Sequence, residues 1–327
     1  MSAGRQQDLL ADIVAARRAV APHLPPTPMW HYPVLDAHLG ATVHVKHENV
    51  QPTGAFKVRG GLALLAAMSP ADRARGLVTY STGNHAQSIA YACAASGARC
   101  TVVMPEHASP GKAGAVRALG AEVVPHGTDM GDAQQHAEGL AAASGARLIS
   151  PGDTRELIAG VGGVYLEIFE ARPDLDAIVV PVGSGTGAAA ATVVAAALAP
   201  GCRVIAVQSS ASPAAHDSWR AGTCVRRPNR TTVDGLATGR GFDLPQALLR
   251  GRLADFLLVG DDEIAQARRM LAAHAHTLAE GAGAAALAAV AARPDLFAGR
   301  RVAVVCTGGN ASTAEIASLA AAPAPYR

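Results

Sequence analysis

Short apolar, β-branched runs alternate along the chain with alanine-rich stretches of helical character. The runs Thr42–Lys46, Leu77–Tyr80, Cys100–Met104, Glu122–Pro125, Ala177–Pro181, Val204–Gln208 and Arg301–Cys306 predict strands. Between them, Ala86–Ser96, Gly111–Leu119 and Thr186–Leu198 read as helices. Strands that alternate with helices predict βαβ units and a mostly parallel sheet buried on both faces. The fold class is therefore α/β, with parallel sheets flanked by helices. The first 24 residues read as an amphipathic helix that ends at Pro25-Pro26.

The pattern separates into two α/β blocks. The small one covers residues 51–145, with its core at 77–145, and the large one joins 1–50 to 146–327. Pro151-Gly152 and the stretch Gly160–Gly163 mark the return crossing. A chain of 327 residues has room for two domains, each with its own core.

Composition removes several function classes. Half of the residues are hydrophobic and 17% are charged, which excludes global disorder. A net charge of +2 without a basic run leaves no footprint of a nucleic-acid binder. The longest uncharged stretch, Ala177 to Cys202, is broken by Pro181, Gly183, Gly185 and Gly187, so no membrane span is expected. Arg5, Asp8, Asp12, Arg17 and Arg18 interrupt what a secretory signal would need as a continuous apolar core. Five cysteines without a C-x-x-C pair fit a cytoplasmic protein with inert thiols better than a disulfide or zinc framework. Of 28 basic residues only Lys46, Lys57 and Lys112 are lysines, which raises the question of why an amine stands at each.

Two segments carry candidate chemistry. Pro181-Val-Gly-Ser-Gly-Thr-Gly187 follows a strand and opens a helix. Glycines let the backbone approach an oxyanion, the helix N-terminus offers N–H groups, and Ser184 and Thr186 add hydroxyls, so the loop suits a phosphate. Gly183-x-Gly185-x-x-Ala188 also satisfies a loose dinucleotide fingerprint, but the next strand ends in Gln208 rather than an acid. A tight strand–helix turn without a ligand is the third reading. The second segment, Glu48 to Gly61, places Lys57 just past a Pro/Gly turn at a helix start. The positive helix end and Arg59 are expected to lower its pKa. A surface lysine lying along a helix is the plain alternative.

Five segments taken together resemble one family. Gly54–Gly60 is similar to the S-F-K-x-R-G cofactor-lysine motif of the fold type II pyridoxal-phosphate enzymes, in the threonine/serine dehydratase group. Ser81-Thr-Gly-Asn-His-Ala-Gln87 resembles their substrate loop, and Pro181–Gly187 their phosphate loop. Glu280-Gly-Ala-Gly-Ala284 and Thr307-Gly-Gly-Asn310 resemble the two C-terminal signatures. The motifs occur in order over nearly the whole chain.

The resemblance implies a two-domain, tryptophan synthase β-like fold, pyridoxal 5'-phosphate as cofactor, a homodimer and an ammonia-lyase activity. Lys57 would hold the cofactor as a Schiff base and move the substrate's α-proton. Phe56 would pack beside the ring, Asn84 would bond the ring hydroxyl, and Thr307 would face the ring nitrogen. Gly183, Ser184, Gly185, Thr186 and Gly187 would hold the phosphate, with Glu280 among the cofactor contacts. Ser81, Thr82, Gly83, Asn84 and His85 would receive the substrate carboxylate, with Thr238 as a further contact. L-Threonine and L-serine are the leading substrates. The same elimination from 3-hydroxyaspartate, phenylserine or another hydroxy amino acid stays open, as does serine racemisation.

The chain departs from the family pattern in places. Thr82 stands where dehydratases have Ala and racemases Ser, so its hydroxyl either serves as a second proton carrier or simply packs. Gln208 and Ala214 stand where relatives with a divalent-cation site have acids, so no metal site is expected. Asp153-Thr-Arg-Glu156 reads as a solvated turn or as a side-chain selector, and His44 and His47 read as structural. A nicotinamide-dependent oxidoreductase is the reading from another class. It explains the glycine loop but not Lys57, Asn84 or Thr307.

Overall fold

A computed structural model describes the chain over residues 3–320. The strands are β1 (Met29–His31), β2 (Thr42–His47), β3 (Leu77–Tyr80), β4 (Cys100–Met104), β5 (Glu122–Pro125), β6 (Arg147–Ile149), β7 (Ala177–Pro181), β8 (Arg203–Ser209), β9 (Asp255–Val259) and β10 (Arg301–Cys306). They form a six-stranded sheet in the order β1-β2-β10-β7-β8-β9 and a four-stranded sheet in the order β5-β4-β3-β6. Only β1 runs antiparallel to its neighbour. All seven strands predicted from the sequence are present, each within one residue at either end.

The helices that matter to the site are α1 (Ala3–Val20), α2 (Lys57–Ala67), α3 (Asn84–Ser96), α4 (Arg155–Ala171), α5 (Thr186–Leu198), α6 (Ala214–Ala221) and α7 (Gly281–Ala292). The predicted helix Gly111–Leu119 is found at Pro110–Ala118. The N-terminal helix stops at Val20, short of the expected Pro25-Pro26, and a turn completes the segment.

The chain divides into two compact units. The first holds residues up to Leu10, Pro26–Phe56 and everything from Val164 on, and it contains the six-stranded sheet. The second holds Ala11–Pro25 and Lys57–Gly163, with the four-stranded sheet. The expected boundaries lay elsewhere, at 50/51 and 145/146. The return moves to 163/164 because β6 pairs with β3 and α2 packs on the first half of α4. Most of α1 falls in the second unit, where a Cβ at Gly162 would meet Ile13 at 2.6 Å.

Each unit has its own core. In the first, Val43, Val45, Val179, Ile205, Val302 and Val304 pack with the alanine face of α7. In the second, Val58, Leu62, Leu64, Ile89, Val102, Ile149 and Leu157 are buried together. Full burial of one such side chain is worth about 1.5–3 kcal/mol. Small residues set how closely α2 is held. A Cβ on Gly61 would collide with Ser88 O of α3, and one on Gly160 would lie 2.6 Å from Ala63 Cβ. The first residue of α2 is Lys57.

Candidate active site

In open parallel sheets, loops at the carboxyl ends of the strands carry the ligand-binding groups. Four of the five sequence motifs lie in such loops, after β2, β3, β7 and β10, and Glu280–Ala284 opens α7.

In the first unit the motifs assemble through the main chain. Phe56 N donates to Thr307 O at 2.9 Å, Gly309 N to Gly54 O at 2.8 Å, and Glu280 N to Gly308 O at 3.1 Å. Gly54 has φ 67, and a Cβ there would run into the Asn310 side chain, whose Nδ2 donates to Thr53 O at 2.8 Å. Thr307 is buried, and its hydroxyl donates to Ala282 O over a long 3.3 Å. Glu280 is the N-cap residue of α7.

The loop after β7 ends at Gly185, which caps α5 with φ 91, a conformation that disfavours any residue with a Cβ. Two of its glycines are needed by the protein itself. A Cβ on Gly183 would strike Gly235 O, and one on Gly185 would lie 2.9 Å from Pro245 Cβ. The α5 N-terminus carries no acid in its first turn, and the dipole of such a helix end favours an anion. Ser184 is partly buried and Thr186 fully so. Behind Gly187 stands Tyr165, absent from the sequence reading. Its fully buried hydroxyl has no hydrogen-bond partner and would lie 3.0 Å from a Cβ on Gly187. One tyrosine inside an apolar helix gives no signal that separates it from ordinary core.

In the second unit, the site residues are held by side chains. Lys57 opens α2, and burial lowers its pKa from 10.5 to about 8. The direction is the expected one, but the cause is desolvation. Arg59 is buried and extends toward Gly163. Ser88 Oγ donates to Lys57 O at 2.5 Å and accepts from Gly61 N at 3.2 Å, tying α3 to the start of α2.

The loop after β3 opens α3 at Asn84. Ser81 Oγ accepts the Gly83 N–H at 3.1 Å, and Ser81, Thr82, Gly83 and Asn84 are partly buried. His85 is buried, and its Nε2 lies 2.8 Å from Thr79 Oγ1. Thr79 spends its one hydrogen on Ile149 O at 2.8 Å, so its oxygen can only accept from the ring. His85 is therefore the Nε2–H tautomer. Burial, and then the charge of Lys57, hold its pKa down at about 3.

The other residues marked in the sequence are engaged with neighbours in the chain. Arg155 pairs with Asp12 at 2.7 Å, Glu156 with Arg147 at 2.6 Å, and Thr154 Oγ1 donates to Ser150 O at 2.9 Å. His44 bonds Arg172 and His47 bonds Tyr32, both rings being buried. Among the described residues no group of three or more His, Cys, Asp or Glu is placed to hold a metal. Thr238, expected as a further substrate contact, donates its hydroxyl to Gly183 O at 3.3 Å.

The first unit supplies the α5 helix end and the neutral hydroxyl of Thr307, and the second supplies a lysine with a lowered pKa. A family model described as pyridoxal-phosphate dependent enzyme matches residues 20–308. The chain belongs to this family of pyridoxal-phosphate enzymes. L-Threonine ammonia-lyase of Thermotoga maritima is 36% identical over 302 residues, 92% of this chain and 75% of that one. L-Threo-3-hydroxyaspartate ammonia-lyase of Saccharomyces cerevisiae is 31% identical over 309 residues, covering 94% and 95%. The processed form of threonine deaminase isoform 2 from Solanum lycopersicum is similar in structure, with a TM-score of 0.92 at 27% identity. That match covers 98% of this chain and 88% of the other. The fold is thus fold type II, and the nicotinamide reading falls: the glycine loop belongs to a pyridoxal-phosphate enzyme.

Proposed function

We propose that this pyridoxal-phosphate enzyme removes water from a β-hydroxy amino acid, L-threonine or L-serine first, and releases a 2-oxo acid and ammonia. The observation that carries the reading is Lys57, whose pKa of about 8 supplies free amine near neutral pH. When bound, pyridoxal phosphate withdraws electrons from the substrate's α-carbon and so acidifies the α-proton. Lys57 Nζ takes that proton. His85 is held neutral, so it adds no positive charge that would compete for the substrate carboxylate or raise the cost of protonating Lys57. Backbone N–H groups of Ser81–His85 orient the carboxylate. Asn84 bonds the cofactor's ring hydroxyl, Phe56 packs beside the ring, and Gly183–Gly187 with Ser184 and Thr186 hold the phosphate. Thr307 offers the ring nitrogen a hydroxyl, which cannot keep that nitrogen protonated as a carboxylate would. This favours prompt loss of a β leaving group. Thr82 is assigned the return of a proton to the α-carbon, whose signature is D-serine formed from L-serine.

A second reading keeps the chemistry and changes the substrate to 3-hydroxyaspartate. Arg240, two residues past Thr238, lies partly buried with its guanidinium 4.5 Å from the Phe242 ring centre. It has no carboxylate partner among the described residues, which suits a substrate with a second carboxylate. The test is 2-oxo acid release by cofactor-loaded enzyme from L-threonine, L-serine, both 3-hydroxyaspartates and phenylserine. Turnover of threonine or serine supports the first reading. Turnover confined to a 3-hydroxyaspartate, lost in Arg240→Met, moves the enzyme to the second. Silence across the panel overturns both.

The assembly is assigned as a homodimer in the cytoplasm. Trp30, Val34, Val50 and Leu278 are exposed on the first unit, where Trp30 packs on His47 and Asn49 bonds Leu278 O. Exposed apolar side chains of this size suit a second copy. The described cysteines are all free. A solution mass equal to one chain overturns the dimer.

A further inference from the structure

Gln208 stands on β8 with its side chain fully buried. Its Oε1 accepts the backbone N–H groups of Ala215 and His216 in the first turn of α6, each at 3.1 Å. With the amide oxygen committed to the helix, Nε2 points the other way and donates to Thr238 Oγ1 at 3.3 Å. The single hydrogen of the Thr238 hydroxyl goes on to Gly183 O at 3.3 Å. Donors and acceptors thus align in one direction, from the α6 N-terminus to the first glycine of the phosphate loop, and each bond polarises the next. Ser212 Oγ holds Thr238 O at 3.1 Å, and Gln246 Nε2 holds Ala215 O at 2.9 Å, so both ends are anchored.

We infer that Gln208 and Thr238 are positioning residues for the cofactor's phosphate, acting through the Gly183 carbonyl, and that Thr238 is not a substrate contact. The peptide unit is planar and trans, so a carbonyl pinned on one side sends the N–H of the next residue to the other. Fixing Gly183 O therefore fixes the Ser184 N–H, the first donor of the loop. Glycine tolerates a rotated peptide cheaply, so without the relay this one is free to turn. The inference rests on Gly183–Gly187 being the phosphate site.

Gln208→Glu keeps the size and the acceptor toward α6 but presents a second acceptor to Thr238. The hydroxyl then turns to the carboxylate and leaves Gly183 O. Thr238→Val removes the link, and Thr238→Ser keeps it. The experiment measures binding of pyridoxal phosphate and of pyridoxal, which lacks the phosphate, to the full chain stripped of cofactor, read from visible absorbance. In Gln208→Glu and Thr238→Val, affinity for pyridoxal phosphate is expected to fall about three- to tenfold while pyridoxal binding holds. Thr238→Ser restores it, and the amino-acid KM of loaded enzyme moves less than about twofold, because neither side chain touches the substrate. A raised KM in Thr238→Val with an unchanged preference for pyridoxal phosphate makes Thr238 a substrate contact and overturns the inference. An unchanged preference and an unchanged KM overturn it as well. If the wild type does not distinguish pyridoxal phosphate from pyridoxal, the phosphate-site reading itself falls.

Discussion

The two units hold their candidate site residues in different materials. In the first, Gly54–Phe56, Glu280 and Thr307–Gly309 are joined backbone to backbone, and none of those bonds involves a titratable group. In the second, Lys57, Thr79, His85 and Ser88 are held by side chains, and two of them carry shifted pKa values. Main-chain geometry suits the holding of a cofactor, because it does not change with pH. Proton transfer needs groups that titrate, and their environment must be tuned by burial.

The largest expected effect breaks the side-chain half outright. Lys57→Ala removes the amine that holds the cofactor and moves the proton, so the visible absorbance of lysine-bound cofactor disappears. Turnover falls by more than about a thousandfold. Retention of both in that variant refutes the assignment.

Next in size is a pH effect on cofactor loading. With a pKa of about 8, Lys57 is about one-tenth free amine at pH 7, against about one part in three thousand for an ordinary lysine. The rate at which the cofactor-free chain takes up pyridoxal phosphate is expected to rise about tenfold per pH unit below 8 and to level above it. A rise that continues to pH 10 places the lysine in ordinary solvent.

Acid stability sharpens the comparison further. Burial keeps His85 neutral in the folded chain down to about pH 3, and His47 down to about pH 4. The unfolded chain takes up those protons near pH 6.5, so stability falls as the pH drops below 6.5. Each ring contributes about 1.4 kcal/mol per pH unit until its folded pKa is reached. Denaturant titrations at a series of pH values should show His85→Gln with a shallower slope by one proton, and an unchanged slope places the acid sensitivity elsewhere.

This contrast also explains what was legible from residues alone. Backbone geometry that demands glycine leaves glycine in the sequence, so the first unit's motifs stood out, and with the Lys57 and Ser81–Gln87 segments they led to the family. The strands buried on both faces read directly as β-branched runs. Three strands did not. β1 is a three-residue edge behind prolines, β6 is Arg-Leu-Ile between a glycine and a serine, and the apolar run of β9 follows a leucine-rich helix that blurs its start. The unit boundary lies past the expected 145/146, at the end of the Gly160–Gly163 stretch, since β6 pairs within the second unit. The side-chain half was visible at Lys57 and along the loop Ser81–His85. Thr79 reads as one more β-branched strand residue and Ser88 as a neutral helix residue, because a hydroxyl's partner is set by tertiary packing. Gln208 was noticed for what it replaces, and the relay it supports depends on β8, α6 and Thr238 meeting in three dimensions.

The smallest effect concerns a place where the main-chain half carries a polar side chain at a cost. Tyr165 Oη is buried without a partner, and the nearby charge of Glu48 adds to burial in disfavouring its ionisation. A buried hydroxyl that has lost water and gained no bond costs about 1–3 kcal/mol. Tyr165→Phe removes that cost and leaves a gap no larger than one oxygen beside Gly187 and Phe56. The variant is expected to be more stable by about 1 kcal/mol, read as a higher denaturant midpoint with an unchanged slope. Gly187→Ala, which would place a methyl 3.0 Å from the hydroxyl and 3.3 Å from Phe56 Cε2, should cost less in the Tyr165→Phe background than alone. If Tyr165→Phe instead destabilises the chain, the hydroxyl has a bonding partner in solution, and the main-chain half depends on a side chain after all.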